Sequence, residues 1–379
     1  MKIVIAPDSF KESMTALEAA QSIEKGMKAV FPDAECHLLP MADGGEGTVQ
    51  SLVHATGGAL IERSVTGPLG EEVPAFFGLL GDGKTAVIEM AAASGLHLVE
   101  PAKRNPLITT SRGTGELIHA ALDEGVSHII VGIGGSATND GGVGMVQALG
   151  GSFLNEDGEE IGPGGGTLST IESIDLSKLD SRLASVKLEV ACDVTNPLTG
   201  PTGASAIFGP QKGADPEMVD TLDQNLAHLA SIVPGGQVIA SRAGTGAAGG
   251  LGFALLAFLN AELNRGIDIV LEAVNFSEHI KDASLVITGE GRIDGQTIYG
   301  KTPIGVAKAS KEYGIPVIGI AGSLTEDSVI VYDHGIDALF SIVPGIMGLS
   351  DAFSQAPHLL ERASRDAAAV LKMGMTFSK

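Results

Sequence analysis

Lys2-Ile3-Val4-Ile5-Ala6-Pro7-Asp8-Ser9-Phe10-Lys11 begins with a short apolar run that gives way to a proline, an acid, a hydroxyl and a lysine. An unbroken β-branched run is what a strand buried on both faces of a parallel sheet requires. A helical pattern follows over 16–30, then a second strand, Glu35–Leu39, and a second helix, Gly47–Ala55. The same rhythm returns at the far end: strand Leu285–Thr288, helix Gly305–Tyr313, strands Val317–Ala321 and Leu339–Val343, and a long helix Ser350–Met373. Strands alternating with helices of this size predict parallel pairing. The two ends together give one α/β domain with a doubly wound parallel sheet, residues 1–66 and 282–379.

The middle reads differently. Ile61–Thr66, Val73–Leu80 and Thr85–Met90 are β runs separated by Gly67-Pro68, Gly70 and Gly81-Asp82-Gly83, which predict antiparallel hairpins. Helix Thr114–Glu124, strand His128–Ile133, helix Val143–Leu149, a glycine-rich stretch over 155–166 and strand Lys187–Ala191 follow. Helices Met218–Ile232 and Leu251–Asn264 complete an inserted mixed α/β domain, 67–281. A length of 379 residues suits two domains.

Composition narrows the function. Asp and Glu total 46 against 24 Lys and Arg, a net charge of −22 that repels nucleic-acid phosphates and anionic lipid, so no nucleic-acid or membrane partner is expected. Cys36 and Cys192 are the only cysteines, which fits a reducing compartment. The apolar run at 3–6 is too short for the core of a signal peptide, and the longest apolar stretch, 247–261, holds glycines and ends at Glu262, as a buried helix would. A cytoplasmic protein is expected, with self-association into a homo-oligomer left open.

Open α/β sheets bind ligands at the carboxyl ends of their strands. The loops there are Pro7-Asp8-Ser9-Phe10-Lys11, Ala42-Asp43-Gly44-Gly45-Glu46-Gly47-Thr48, Gly134-Gly135-Ser136-Ala137-Thr138-Asn139-Asp140, Cys192-Asp193-Val194-Thr195-Asn196 and Gly289-Glu290-Gly291-Arg292-Ile293-Asp294. Each carries a carboxylate. A lone loop acid is usually a helix cap, but several converging ones repel unless a cation lies among them. Mg²⁺ held by one or two carboxylates plus substrate phosphates, beside bare backbone amides, is the equipment of phosphoryl transfer.

Two glycine patterns compete with that reading. Gly295 to Thr302 satisfies the P-loop expression, but a strand ending near Thr288 leaves a six-residue gap, and Pro303 follows directly. A phosphate or substrate contact by Lys301 in another geometry is preferred. Gly244-Thr245-Gly246-Ala247-Ala248-Gly249 matches a dinucleotide fingerprint without a clear strand before it. Close backbone approach to a nucleotide or to the other domain suits it better. Zincin and serine-hydrolase motifs are missing.

The strings Ala6-Pro7-Asp8-Ser9-Phe10-Lys11, Ala42-Asp43-Gly44-Gly45-Glu46-Gly47-Thr48, Gly132-Ile133-Gly134-Gly135-Ser136-Ala137-Thr138-Asn139-Asp140-Gly141-Gly142, Cys192-Asp193-Val194-Thr195-Asn196-Pro197-Leu198, Phe208-Gly209-Pro210-Gln211-Lys212-Gly213-Ala214 and Thr288-Gly289-Glu290-Gly291-Arg292-Ile293-Asp294 resemble those of the bacterial glycerate kinases of the first class. The resemblance runs from Lys2 to the C-terminal helix. Glu12 stands where the family pattern has glycine, and Ala243-Gly244-Thr245-Gly246 replaces Pro-Gly-Ala-Gly. The resemblance implies ATP-dependent phosphorylation of D-glycerate, usually to 2-phosphoglycerate, and a flavodoxin-like domain with a second domain inserted.

The chemistry of the loops suggests roles, with the active site expected in the cleft between the domains. Gly134, Gly135, Ser136, Ala137, Thr138 and Asn139, with Lys301, are candidates for ATP phosphates. Asp8, Asp43 and Glu290 are candidates for Mg²⁺. Asp193 is the preferred base and Asp294 the alternative, with Lys11 and Arg292 neutralising the transferring group. Arg112 could grip the glycerate carboxylate, with Ser9 and Asn196 as further substrate contacts. The rivals are a kinase of another small sugar acid and a non-catalytic ligand-binding protein on the same scaffold.

Overall fold

The structure, a computed structural model, describes residues 1–377. In chain order the strands are β1 Lys2–Ile5, β2 Glu35–Leu38, β3 Ala59–Thr66, β4 Glu72–Leu79, β5 Thr85–Glu89, β6 His128–Gly132, β7 Ser152–Leu154, β8 Ser173–Asp175, β9 Lys187–Ala191, β10 Glu262–Asn264, β11 Leu285–Ile293, β12 Val317–Leu324 and β13 Ala338–Ser341. Two compact units result. One holds residues 1–43, 50–57 and the chain from Ile267 onward, and the other holds 44–49 and 58–266.

The first unit is a five-stranded sheet in the order β13-β12-β11-β1-β2, parallel throughout. Numbered within the unit this is 2-1-3-4-5, the flavodoxin-like order, whose ligand crevice lies where β1 meets the third strand, here β11. Ile3, Ile5, Ile287 and Ile320 fill one face against helices Ala16–Val30 and Ala356–Phe377. Helix Ala16–Val30 starts on a capping box between Thr15 and Glu18. It packs so closely that a Cβ on Gly26 would stand 2.3 Å from the Glu361 carbonyl oxygen.

The second unit has a six-stranded mixed sheet, β10-β9-β6-β5-β4-β3, and a small β7–β8 ribbon. β10, β9, β6 and β5 run parallel, and β5, β4 and β3 are joined antiparallel, as the glycine turns predict.

Several expectations are corrected. The boundaries at 66/67 and 281/282 move, because β3 pairs with β4 along its whole length and belongs to the second unit, while 267–281 belongs to the first. Helix Leu251–Asn264 is helix Ala247–Leu259 followed by β10, since Asn260 turns left-handed and ends it. The C-terminal helix is two, Leu349–Ser354 and Ala356–Phe377, broken ahead of Pro357, which cannot donate a backbone hydrogen bond. β11 runs on to Ile293, so Glu290 and Arg292 stand on a strand and not in a loop.

Candidate functional site

In the first unit the backbone of β1 keeps pairing beyond its last residue. Ala6 N–H donates to Ile287 O at 2.7 Å, and Asp8 N–H donates to Gly289 O at 2.8 Å. This zipper carries the Asp8 side chain to the same sheet edge as Glu290. A pocket of about 600 Å³ opens there, and Asp8, Asp43, Glu290, Lys11, Arg292 and Lys301 line its charged end. With Glu12, which also lines it, four acids and three bases from distant segments therefore share one hollow.

Asp8 accepts from its neighbour's amide, Ser9 N–H, at 2.6 Å through Oδ1, and from Thr302 Oγ1 at 2.7 Å through Oδ2. Burial pushes Asp8 up to about 6, and the negative charge of Asp43 adds to the effect. Glu290 Oε1 accepts from Thr297 Oγ1 at 3.0 Å and lies 3.8 Å from Lys301 Nζ. Burial pushes Glu290 up to about 7 although Lys301 pulls it down, with Asp8 and Asp43 raising it further. Arg292 Nε pairs with Asp294 Oδ2 at 3.1 Å, and Lys301 lies 3.9 Å from Asp294 Oδ1.

Among the described residues no three His, Cys, Asp or Glu side chains form a ready-made metal site. Mg²⁺ asks for less than that, since it keeps waters and takes one or two carboxylates plus phosphate oxygens. Two carboxylates held toward their protonated forms by burial and mutual repulsion suit such an ion, because a cation relieves both penalties.

The P-loop objection of a six-residue gap falls away, because β11 reaches Ile293 and Lys301 is the N-cap of helix Thr302–Glu312. Three amides of the 294–302 loop are engaged within it: Thr297 N–H donates to Asp294 O, Tyr299 N–H to Gln296 O and Gln296 N–H to Asp294 Oδ1. Lys301 alone reaches the pocket from it.

In the second unit the 134–140 loop divides. Gly134 and Gly135 are exposed, while Ser136 to Asp140 are buried. Ala137 N–H donates to Ser94 O, and Ser136 Oγ accepts from Lys212 Nζ at 2.8 Å, which also donates to Thr138 O at 2.7 Å. Asn139 Nδ2 donates to Ser205 Oγ, while Thr138 Oγ1 and Asn139 Oδ1 are buried with no protein partner. The exposed amides of this loop are thus those of its glycines, and Thr138 and Asn139 do not face solvent. Asp140 accepts from Ser111 N–H and Oγ, both at 2.8 Å, and from Gly142 and Gly144 N–H. Burial pushes Asp140 up and Lys212 down, the latter to about 7. Reading the sequence loop by loop gave Lys212 no role, although it stands in one of the strings that carry the resemblance, because its partners lie 74 and 76 residues away.

The fingerprint at 244–249 is a packing device. A Cβ on Gly249 would stand 2.0 Å from Thr138 O, and Gly141 N–H donates to Gly249 O. Asp193 Oδ1 accepts from Gly266 N–H at 3.1 Å, and Asn196 Nδ2 donates to Thr202 O at 2.7 Å. Arg112 opens helix Arg112–Asp123, pairs through Nε with Glu116 at 3.1 Å, and lines a separate pocket of about 470 Å³ with Thr66, Gln147 and Glu160.

Comparisons with known proteins agree over the full length. The model of the "Glycerate kinase family" matches residues 3–372. The chain is 67% identical over 378 residues to "Glycerate kinase" of Bacillus subtilis (strain 168), covering 99% of each chain. It is 59% identical to "Glycerate 2-kinase" of Escherichia coli (strain K12), again over 99% of each. A crystal structure from Salmonella typhimurium LT2, provisionally designated glycerate kinase 2, superposes with a TM-score of 0.91 at 56% identity, over 99% of both chains.

Proposed function

The chain belongs to the glycerate kinase family and is a kinase, and from that premise we propose that it transfers the γ-phosphoryl group of ATP to D-glycerate, with Mg²⁺, giving 2-phosphoglycerate in the cytoplasm. The observation that carries this reading is the pocket where Asp8 and Glu290, both pushed toward protonation, meet Lys11, Arg292 and Lys301. Such a hollow repels a bare anion less than the net charge of the chain suggests, because its own cations stand at the rim.

Asp8 and Glu290, with Asp43, would hold Mg²⁺, which supplies neutralisation of the phosphate oxygens as charge shifts during transfer. Lys11 and Lys301 draw in the triphosphate, and Arg292, tethered to Asp294, offers its guanidinium to the group in flight. Gly134 and Gly135 offer amides to phosphate, and Ser136 is held in place by Lys212. Asp193 takes the proton from the reacting hydroxyl, with Asp294 the alternative base. Glu116 occupies Nε of Arg112, so the two Nη groups are the donors left to grip the glycerate carboxylate, with Ser9 and Asn196 as further contacts.

The test is ADP release from ATP across D-glycerate, glycolate, lactate and tartronate, with phosphorus NMR of the product. The expected result is turnover with glycerate, a 2-phosphoglycerate resonance and loss of activity on chelation of divalent ions. Preference for another acid, a 3-phosphoglycerate product, or full activity in excess chelator would each overturn the corresponding part.

A further inference from the structure

The first unit's pocket has two ends of opposite character. Apart from its charged residues, its lining includes Ile342, Val343, Leu349 and Phe353, apolar side chains from the β13 edge of the sheet. This wall comes from the residues just after β13 and from the short helix Leu349–Ser354. Leu349 is 70% exposed, and nearby Ile346 is fully exposed. Large apolar side chains left in water at a pocket rim gain free energy when an apolar surface covers them.

Glycerate cannot be what fills this end. It is a three-carbon acid in which nearly every carbon carries oxygen, and oxygen against an apolar wall without a partner is penalised. A volume of about 600 Å³ is also of the size that holds drug-sized ligands, roughly 300–1,000 Å³. A nucleotide has the matching polarity, with an anionic chain at one end and a flat, largely apolar ring at the other.

We propose that this pocket is the nucleotide site, with the triphosphate at Lys11, Lys301 and the carboxylates, and the adenine ring against Ile342, Val343, Leu349 and Phe353. The assignment rests on the kinase reading above and adds the place of the base, which no motif in the chain marks. It makes the segment 342–353 a nucleotide-binding element and leaves glycerate to other groups.

Two variants test it in the full chain. Ala352→Trp fills the apolar end, and Leu349→Asp places a charge on an exposed wall residue where folding is not at stake. Both should raise the KM for ATP by about tenfold or more, the equivalent of roughly 1.4 kcal/mol. The KM for glycerate, and inhibition by inorganic tripolyphosphate, which needs only the charged end, should stay within about twofold of wild type. Unchanged ATP KM in Leu349→Asp overturns the assignment, as does weakening of tripolyphosphate in step with ATP in both variants. Calorimetric titration of ADP reads the pocket without turnover. Wild type that binds ADP but phosphorylates no acid would sink the kinase reading alone, and wild-type ADP affinity in both variants would sink this inference alone.

Discussion

Two carboxylate–lysine clusters in this molecule grow from acids set on or after strands of a parallel pair, and they have opposite characters. In the second unit, Asp140 takes four hydrogen bonds from Ser111, Gly142 and Gly144, and Lys212 spends its ammonium on Ser136 and Thr138. Everything these two charges need comes from the chain itself, and both side chains are buried. In the first unit, Asp8 and Glu290 each keep a single side-chain hydroxyl donor, with only one amide added at Asp8, and they face a pocket with like charges nearby. The first cluster is a structural pin. The second, on the function proposed above, is a site for a cation and an anion from outside.

The sharpest way to break this contrast is to neutralise one acid in each cluster. Glu290→Gln should lower kcat by about 10²–10³, the usual worth of one electrostatic group at a reacting centre, while Tm holds or rises because a repelled buried carboxylate is gone. A Glu290→Gln enzyme with normal turnover and a lowered Tm would reverse the roles assigned to the clusters. Asp140→Asn should do the opposite. It orphans buried donors at about 1–3 kcal/mol, read as a lower denaturation midpoint, while kcat of the folded enzyme changes only a few-fold. The smallest effect belongs to Glu12, which lines the first pocket at φ +65°. A left-handed non-glycine residue costs roughly 1–2 kcal/mol, and the extra freedom glycine has when unfolded returns about 0.5–1 kcal/mol of that. Glu12→Gly should therefore gain between about 0 and 1.5 kcal/mol in a denaturant titration. A loss would show that the Glu12 carboxylate has a partner worth more than the strain.

This position also shows how far the sequence could be read. The resemblance predicts glycine there, and the left-handed backbone at Glu12 is the conformation glycine adopts most readily. The parallel sheet was legible because β1 and the starts of β11 and β12 are apolar, largely β-branched runs that alternate with helices, and the β3–β5 meander because glycine turns separate its members. β11 was read too short because Gly289 and Gly291 look like loop residues. In the sheet Gly289 is there for close approach, since a Cβ on it would stand 1.9 Å from Ile320 O. Asp8, Asp43 and Glu290 could be chosen together from their strand-end positions. Asp140 obeys the same pattern, and only its four internal donors separate it from them. The apolar wall was out of reach: 342–353 reads as the end of a strand and the start of a helix, and its role depends on which hollow it borders.

The pH dependence of Mg²⁺ binding tests the central claim most directly. With Asp8 at about 6 and Glu290 at about 7, the folded chain holds protons that the unfolded chain has already released above about pH 4. The contribution of these two groups to stability therefore falls as pH rises from about 4 to about 7, and then levels off. Mg²⁺ competes with those protons, so the rise in Tm on adding Mg²⁺ should be large at pH 8, small at pH 5.5 and much reduced at both in Glu290→Gln. Equal Mg²⁺ shifts at the two pH values, or a full shift in Glu290→Gln, would contradict the assignment of these carboxylates to the ion.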